Sequence, residues 1–168
     1  QKKPGDFNPP YIIQSYENIL ERFDPLNRVV FATFSTYSRY AGPREALFTA
    51  LCRQNFGCSH FVVGRDHTGV GNFYAPDASH RIFDRFPELG IKPVKFGEVF
   101  YSQSQRQYVH MPNGSHASVA NDKLTISGSE ARRMIQGGQK PPGWFMRPEI
   151  ANILLGAVKN GEQIFTEA

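Results

Sequence analysis

Apolar residues along this chain recur at two spacings, and each change of spacing marks an expected element. In residues 11–23, Ile12, Ile13, Tyr16, Ile19, Leu20 and Phe23 stand mostly three or four apart, which lines one face of a helix. The pair Pro9-Pro10 opens that helix and Pro25 closes it. Residues 28–34, RVVFATF, form a nearly continuous β-branched and aromatic run, which predicts a buried strand. Helical spacing returns over residues 44–56 through Ala46, Leu47, Ala50 and Leu51, with Pro43 in the first turn and Gly57 at the cap. Residues 59–63, SHFVV, then predict a short buried strand that runs straight into the glycine-rich stretch GRDHTGVG at 64–71.

The later half is less regular. Residues 78–86 predict a helix, and residues 94–101 a strand with Gly97 inside it. Residues 102–122 are polar and loop-rich. Ser127 opens a helix through residue 136, closed by Gly137-Gly138, and residues 148–159 form the last helix. The opening ten residues, with Pro4, Gly5, Pro9 and Pro10, read as a loop. Alternating strands and helices over residues 11–101 predict an α/β fold, a mainly parallel sheet with flanking helices. The expected division is an α/β domain over 1–101, then a polar loop and small helical subdomain over 102–168.

Composition narrows the classes. A length of 168 residues suits one ordinary domain or a piece of a larger protein. With 40% hydrophobic residues, 14 of them Phe-derived rings, the chain can build a core and is not wholly disordered. No apolar run approaches the ~18–20 residues of a membrane span, so no membrane partner is expected. The opening QKKPGDFNPP lacks the apolar centre of a signal peptide, and a start at Gln1 rather than Met reads as a processed chain or a fragment. Cys52 and Cys58 make neither a disulfide framework nor a zinc cluster, and they fit a reducing, cytoplasmic compartment. A net charge of +4 permits an anionic ligand. Adjacent basic pairs occur only at Lys2-Lys3 and Arg132-Arg133, so no nucleic-acid partner is expected.

Three short stretches could carry chemistry. Gly64-Arg65-Asp66-His67-Thr68-Gly69-Val70-Gly71 leaves the carboxyl end of a strand, where open parallel sheets bind ligands. Glycines let backbone N–H groups approach a phosphate, Arg65 adds a planar cation and His67 a further donor. The plainer alternative is a turn with a surface Arg-Asp pair. The stretch has neither the GxxxxGK[ST] nor the GxGxxG pattern. Ser127 and Glu130 have capping-box spacing; with Ser129 and the two arginines beyond, the same helix start is also a candidate phosphate site. Ala41-Gly42-Pro43-Arg44-Glu45 is a tight turn into a helix, where Glu45 needs no role beyond the helix dipole. His60 reads as structural, and His110 and His116 lack the companions of a metal site.

Taken together, AGPREALFTALCRQNFGCSHFVVGRDHTGVG (41–71), ISGSEARRMIQGG (126–138) and PPGWFMRPEI (141–150) closely resemble the ATP sulfurylase, or sulfate adenylyltransferase, family. KKPGDF near the start resembles the family's KPGD segment. The resemblance implies a nucleotidyltransferase-type fold and a reaction that joins sulfate to the AMP part of ATP. The products are adenosine 5′-phosphosulfate and pyrophosphate, and Mg²⁺ accompanies the nucleotide. It assigns nucleotide binding to Gly64, Arg65, Asp66 and His67, catalysis to Arg65 and His67, and sulfate contact to Thr68, where the family commonly has Ala. Val99 in GEVFY matches a valine that packs on the nucleotide, and ISGS at 126–129 replaces the family's ISGT.

Two departures bear on function. The family's QxRNPxHxxH segment, which supplies a sulfate-binding Arg and histidines near the transferred phosphate, is absent. These residues are therefore expected to be the C-terminal part of the catalytic region, inactive alone, with the N-terminal part as partner and a homo-oligomer as the assembly. Some members hold zinc between the FY strand and the ISGT helix; residues 102–123 contain no cysteine, so no zinc is expected. Two rivals stay open: a non-catalytic nucleotide- or anion-binding domain on the same scaffold, and a nucleotidyltransferase with another acceptor.

Overall fold

The computed structural model describes residues 5–24, 26, 28–69, 71–111 and 122–167. They form two compact units, one from residues up to Tyr37 together with those from Ile126, the other Ser38–Thr125.

The first unit is helical. Helix α1 (Pro9–Phe23) begins with its two prolines in the first turn, where the missing N–H groups cost nothing. Helices α4 (Gly128–Gln136) and α5 (Pro148–Lys159) follow the sequence expectation closely. Ile135, Leu154, Ala157, Ile164 and Phe165 form the core, with Phe7, Tyr11 and Met146 packed against it. Phe7 bridges to Phe165 in antiparallel fashion, their rings 4.8 Å apart, and Asn8 Nδ2 donates to the Gln163 carbonyl at 2.7 Å. Both helices end alike. Gly138 and Gly161, at φ 73° and 76°, donate to Ile135 and Val158, and the next N–H groups bond Met134 and Ala157. This is the Schellman arrangement, and glycine adopts its left-handed residue without steric cost.

The second unit carries both sheets. Helix α2 (Pro43–Asn55) ends in the same motif at Gly57. Strand β1 (His60–Val63) pairs in parallel with β2 (Lys92–Lys95), and between them lie helix α3 (Ala78–Arg81) and a 3₁₀ turn (Ile82–Arg85). Ala46, Ala50, Val63, Phe83 and Ile91 form the core under this pair. Strand β3 (Glu98–Ser102) pairs antiparallel with β4 (Gln107–Met111) and with β5 (Lys123–Leu124).

The α/β expectation holds, with corrections. Among the described residues, parallel pairing is confined to β1 and β2, and the other three strands pair antiparallel. Gly97 divides the expected 94–101 strand, so β2 and β3 join different sheets. Within the stretch read as loop, residues 107–111 are a strand, residues 123–124 just beyond it are another, and the expected boundary at residue 101 falls inside β3. Residues 28–34 form no ladder among the described residues: Val30 is 93% exposed. A strand is completed only by a partner, and none pairs with this run among the described residues. Asp24, buried at the end of α1, instead accepts from the N–H groups of Arg28 and Val29 at 2.9 and 2.7 Å. The 59–63 strand is also only half buried, Val63 inward and Val62 outward. No described helix is long and apolar enough to cross a membrane.

The helical core gives a direct test. Ile135 is fully buried, so Ile135→Ala should cost about 2–5 kcal/mol, read as a lower urea midpoint. A midpoint unchanged within error would show that this residue is not part of a close-packed core.

Candidate functional site

At the carboxyl end of β1 the chain turns through Gly64, Arg65, Asp66, His67, Thr68 and Gly69. Arg65 and Asp66 face solvent, while the other four are half-buried. The turn is costly in itself, because Asp66 and Thr68 both stand at φ 54°. Each left-handed residue that is not glycine costs roughly 1–2 kcal/mol. Hydrogen bonds from outside the turn hold it in place. Asp66 N donates to the Pro76 carbonyl at 2.7 Å, and Gly42 N donates to the Thr68 carbonyl at 3.1 Å. Ser79 Oγ donates to the His67 carbonyl at 2.9 Å. A Cβ on Gly69 would sit 2.0 Å from Asp66 Oδ1, so the turn closes tightly on itself.

The turn at residues 41–45 is therefore a wall of this site. Gly42 has φ 51°, and a Cβ there would lie 2.5 Å from the Tyr74 ring. Glu45 is 6% exposed, and its carboxylate accepts from Arg39 N at 2.9 Å and Ala41 N at 3.0 Å. Those bonds give Glu45 a role beyond the helix dipole: it ties the approach to α2, and Gly42 passes the order on to Thr68. Arg44 is exposed.

His67 is the electrostatically distinctive residue. Its ring lies edge-on to Phe61, centroids 5.5 Å apart, and its Nε2 is buried with no hydrogen-bond partner. Burial lowers its pKa below the ordinary value of 6.5; Glu45 opposes that shift and His80 reinforces it. The imidazole is accordingly biased toward its neutral form. On β3, hydrogen bonding to Lys123 holds the Glu98 carboxyl below its usual range, with a smaller contribution from the Arg65 charge. Val99, expected against the nucleotide, is 52% exposed on β3 opposite His110 in the β4 register.

The remaining candidates are placed as follows. The Thr68 hydroxyl lies 2.7 Å from its neighbour His67's carbonyl and 3.1 Å from Gly42's, so its single proton is directed at backbone. Ser127 and Ser129 belong to the helical unit. Ser127 Oγ accepts from Glu130 N at 3.0 Å, the forward half of the expected capping box, and Ser129 Oγ accepts from Arg132 at 3.1 Å. His116 and Val70 lie outside the described residues. Among the described residues, no three His, Cys, Asp or Glu side chains converge to hold a metal ion. Sequence reasoning missed Ser79 and His80, both buried beneath the turn. Their only signal was a place on an expected helix, because a contact to backbone carbonyls has no spacing pattern.

The ATP-sulfurylase family model matches residues 1–157. The sulfate adenylyltransferase of Cenarchaeum symbiosum (strain A) is 43% identical over 155 residues, covering 92% of this chain and 40% of that protein. That of Ignicoccus hospitalis is 44% identical over 154 residues, with 92% and 40% covered. The chain thus spans about 40% of the length of these curated relatives. Among solved structures, the hexameric APS kinase from Thiobacillus denitrificans superposes with a TM-score of 0.62 at 23% identity, over 86% of this chain and 26% of that one. That match is a likeness of fold.

The buried imidazole predicts a pH dependence. With the folded pKa of His67 lowered, its contribution to stability is complete above about 6.5, the unfolded value, and is lost as pH falls through the folded value. An NMR titration should place the His67 midpoint below that of a histidine in the unfolded chain. A midpoint at or above it would contradict the burial described here.

Proposed function

Because the chain belongs to the ATP-sulfurylase family, we propose that the turn at residues 64–69 is the nucleotide side of a sulfate adenylyltransferase centre. There ATP and sulfate give adenosine 5′-phosphosulfate and pyrophosphate. The observation that carries this reading is an exposed guanidinium, Arg65, on a tightly tied turn at the carboxyl end of a parallel strand. In the proposed reaction a sulfate oxygen attacks the α-phosphorus of ATP, the bond to the bridging oxygen breaks, and pyrophosphate leaves with that electron pair.

Sulfate is a weak nucleophile, and both reactants are anions, so alignment and charge neutralisation carry most of the work. Arg65 would meet phosphoryl oxygens with its planar fork, and neutral His67 would donate or accept one hydrogen bond without adding charge. Gly64 and Asp66 would bring backbone close to the phosphates, with Val99 offering an apolar surface to the nucleotide. Mg²⁺ would enter on the triphosphate, where it offsets phosphate charge while keeping waters of its own. A cytoplasmic setting fits the two free thiols, Cys52 and Cys58. The hexameric state of the structural neighbour supports a homo-oligomer for the complete protein.

One observation favours a second reading, a nucleotide- or anion-binding domain without sulfate turnover: the Thr68 hydroxyl proton points at carbonyl groups rather than outward. Pyrophosphate release from ATP separates the two. The leading reading expects sulfate-dependent release from the complete polypeptide and none from residues 1–168 alone, which lack the resemblance's Arg and His-x-x-His groups. Nucleotide binding by the complete protein without sulfate-dependent release would favour the second.

Within the complete enzyme, Arg65→Ala should lower kcat/KM roughly ten- to hundredfold, the loss of one charge-assisted contact. Arg65→Lys should recover only part of it, since the planar fork is gone. Unchanged kinetics in the alanine variant would remove Arg65 from the centre.

A further inference from the structure

The turn that presents Arg65 is held from behind by two adjacent side chains. Ser79 and His80 are 3% and 4% exposed, in the first turn of α3. His80 Nε2 lies 3.0 Å from the Val63 carbonyl and 3.1 Å from that of Gly64. A carbonyl oxygen only accepts, so Nε2 carries the proton and donates to both. Ser79 Oγ donates to the carbonyl of His67. The two side chains therefore grip the backbone on both sides of Arg65 and Asp66. Just ahead of them in sequence, the Pro76 carbonyl receives Asp66 N.

We propose that Ser79 and His80 are positioning residues, which together set the separation and aim of Arg65 and His67 toward the nucleotide phosphates. This inference rests on the reading of the turn as a nucleotide site. Asp66 and Thr68 hold unfavourable left-handed conformations, so without the grip the turn relaxes to less strained shapes. A relaxed turn still meets a mobile triphosphate, but it aligns the phosphate and the attacking oxygen less often. Misplacement by 1 Å costs as much as about a hundredfold in rate. The pair thus acts on turnover more than on affinity.

The test uses the complete enzyme in four forms: wild type, Ser79→Ala, His80→Gln and His80→Leu. Glutamine supplies an N–H donor at similar reach, and leucine fills the space without one. His80→Leu and Ser79→Ala should each lower kcat roughly tenfold or more, with KM for ATP changed by less than about threefold. His80→Gln should recover most of the loss. A folded His80→Leu enzyme with normal kcat, or no recovery in His80→Gln, overturns the proposal. If His80→Leu does not fold, Ser79→Ala decides by the same kcat criterion. Long-range ¹H–¹⁵N correlation on wild type should show the Nε2–H tautomer of His80, and the Nδ1–H tautomer would overturn the grip. Should wild type show no sulfate-dependent turnover, the functional reading fails by itself. Amide exchange at residues 66–69 then decides the grip: faster exchange in His80→Leu than in His80→Gln supports it, and equal exchange overturns it.

Discussion

The carbonyl oxygen of Val63 accepts from Phe96 N at 2.8 Å and from His80 Nε2 at 3.0 Å, while the Val63 side chain is wholly buried in the core. A buried carbonyl has two lone pairs to satisfy. Here one partner comes from the chain just after β2, the other from α3. The place where β1 stops is thereby tied to both of its neighbours. The turn that presents Arg65 begins one residue later, at Gly64.

From that anchored point the turn can tolerate strain. Two non-glycine residues in left-handed conformations would ordinarily relax, yet Asp66 and Thr68 are each bonded to segments distant in sequence, Pro76 and Gly42. Gly42 is in turn fixed by the loop that Glu45 organises and by the Tyr74 ring packed where a Cβ would go. Strain at the turn and order around it are two sides of one arrangement. The Arg65 side chain is left exposed on this tightly bonded base, a suitable division of labour for a group that would meet an anion.

The helical unit follows a different logic, with apolar packing at its centre and glycine-terminated helices at its edges. Its Ser127 hydroxyl caps α4 by accepting from Glu130 N, and its Ser129 hydroxyl accepts from Arg132. The exposed run at residues 28–34 is the contrary case. Its residues have the composition of a buried strand, and Val30 stands almost wholly in solvent. Composition makes a strand possible; only a partner's backbone groups make one real.

The five described helices were legible in the sequence because each depends on neighbours a few residues away, whereas β1 was legible by composition and its pairing with β2 was not. Proline in a first turn, glycine after a last one, and three-to-four spacing are local statements about φ, ψ and one buried face. The GRDH turn was legible too, from its position after a strand and from family resemblance. What the sequence could not determine was who partners whom: that Gly97 separates two sheets, that residues 107–111 form β4, that Thr68 bonds Gly42, and that Ser79 and His80 stand under the turn. The contacts of Thr68, Ser79 and His80 are hydrogen bonds between groups 12 to 26 residues apart, and the sheets are set by pairing between separate strands. Only the tertiary structure could decide them, because a backbone carbonyl is the same in every residue type, an N–H in every type but proline, and neither marks its partner in the sequence.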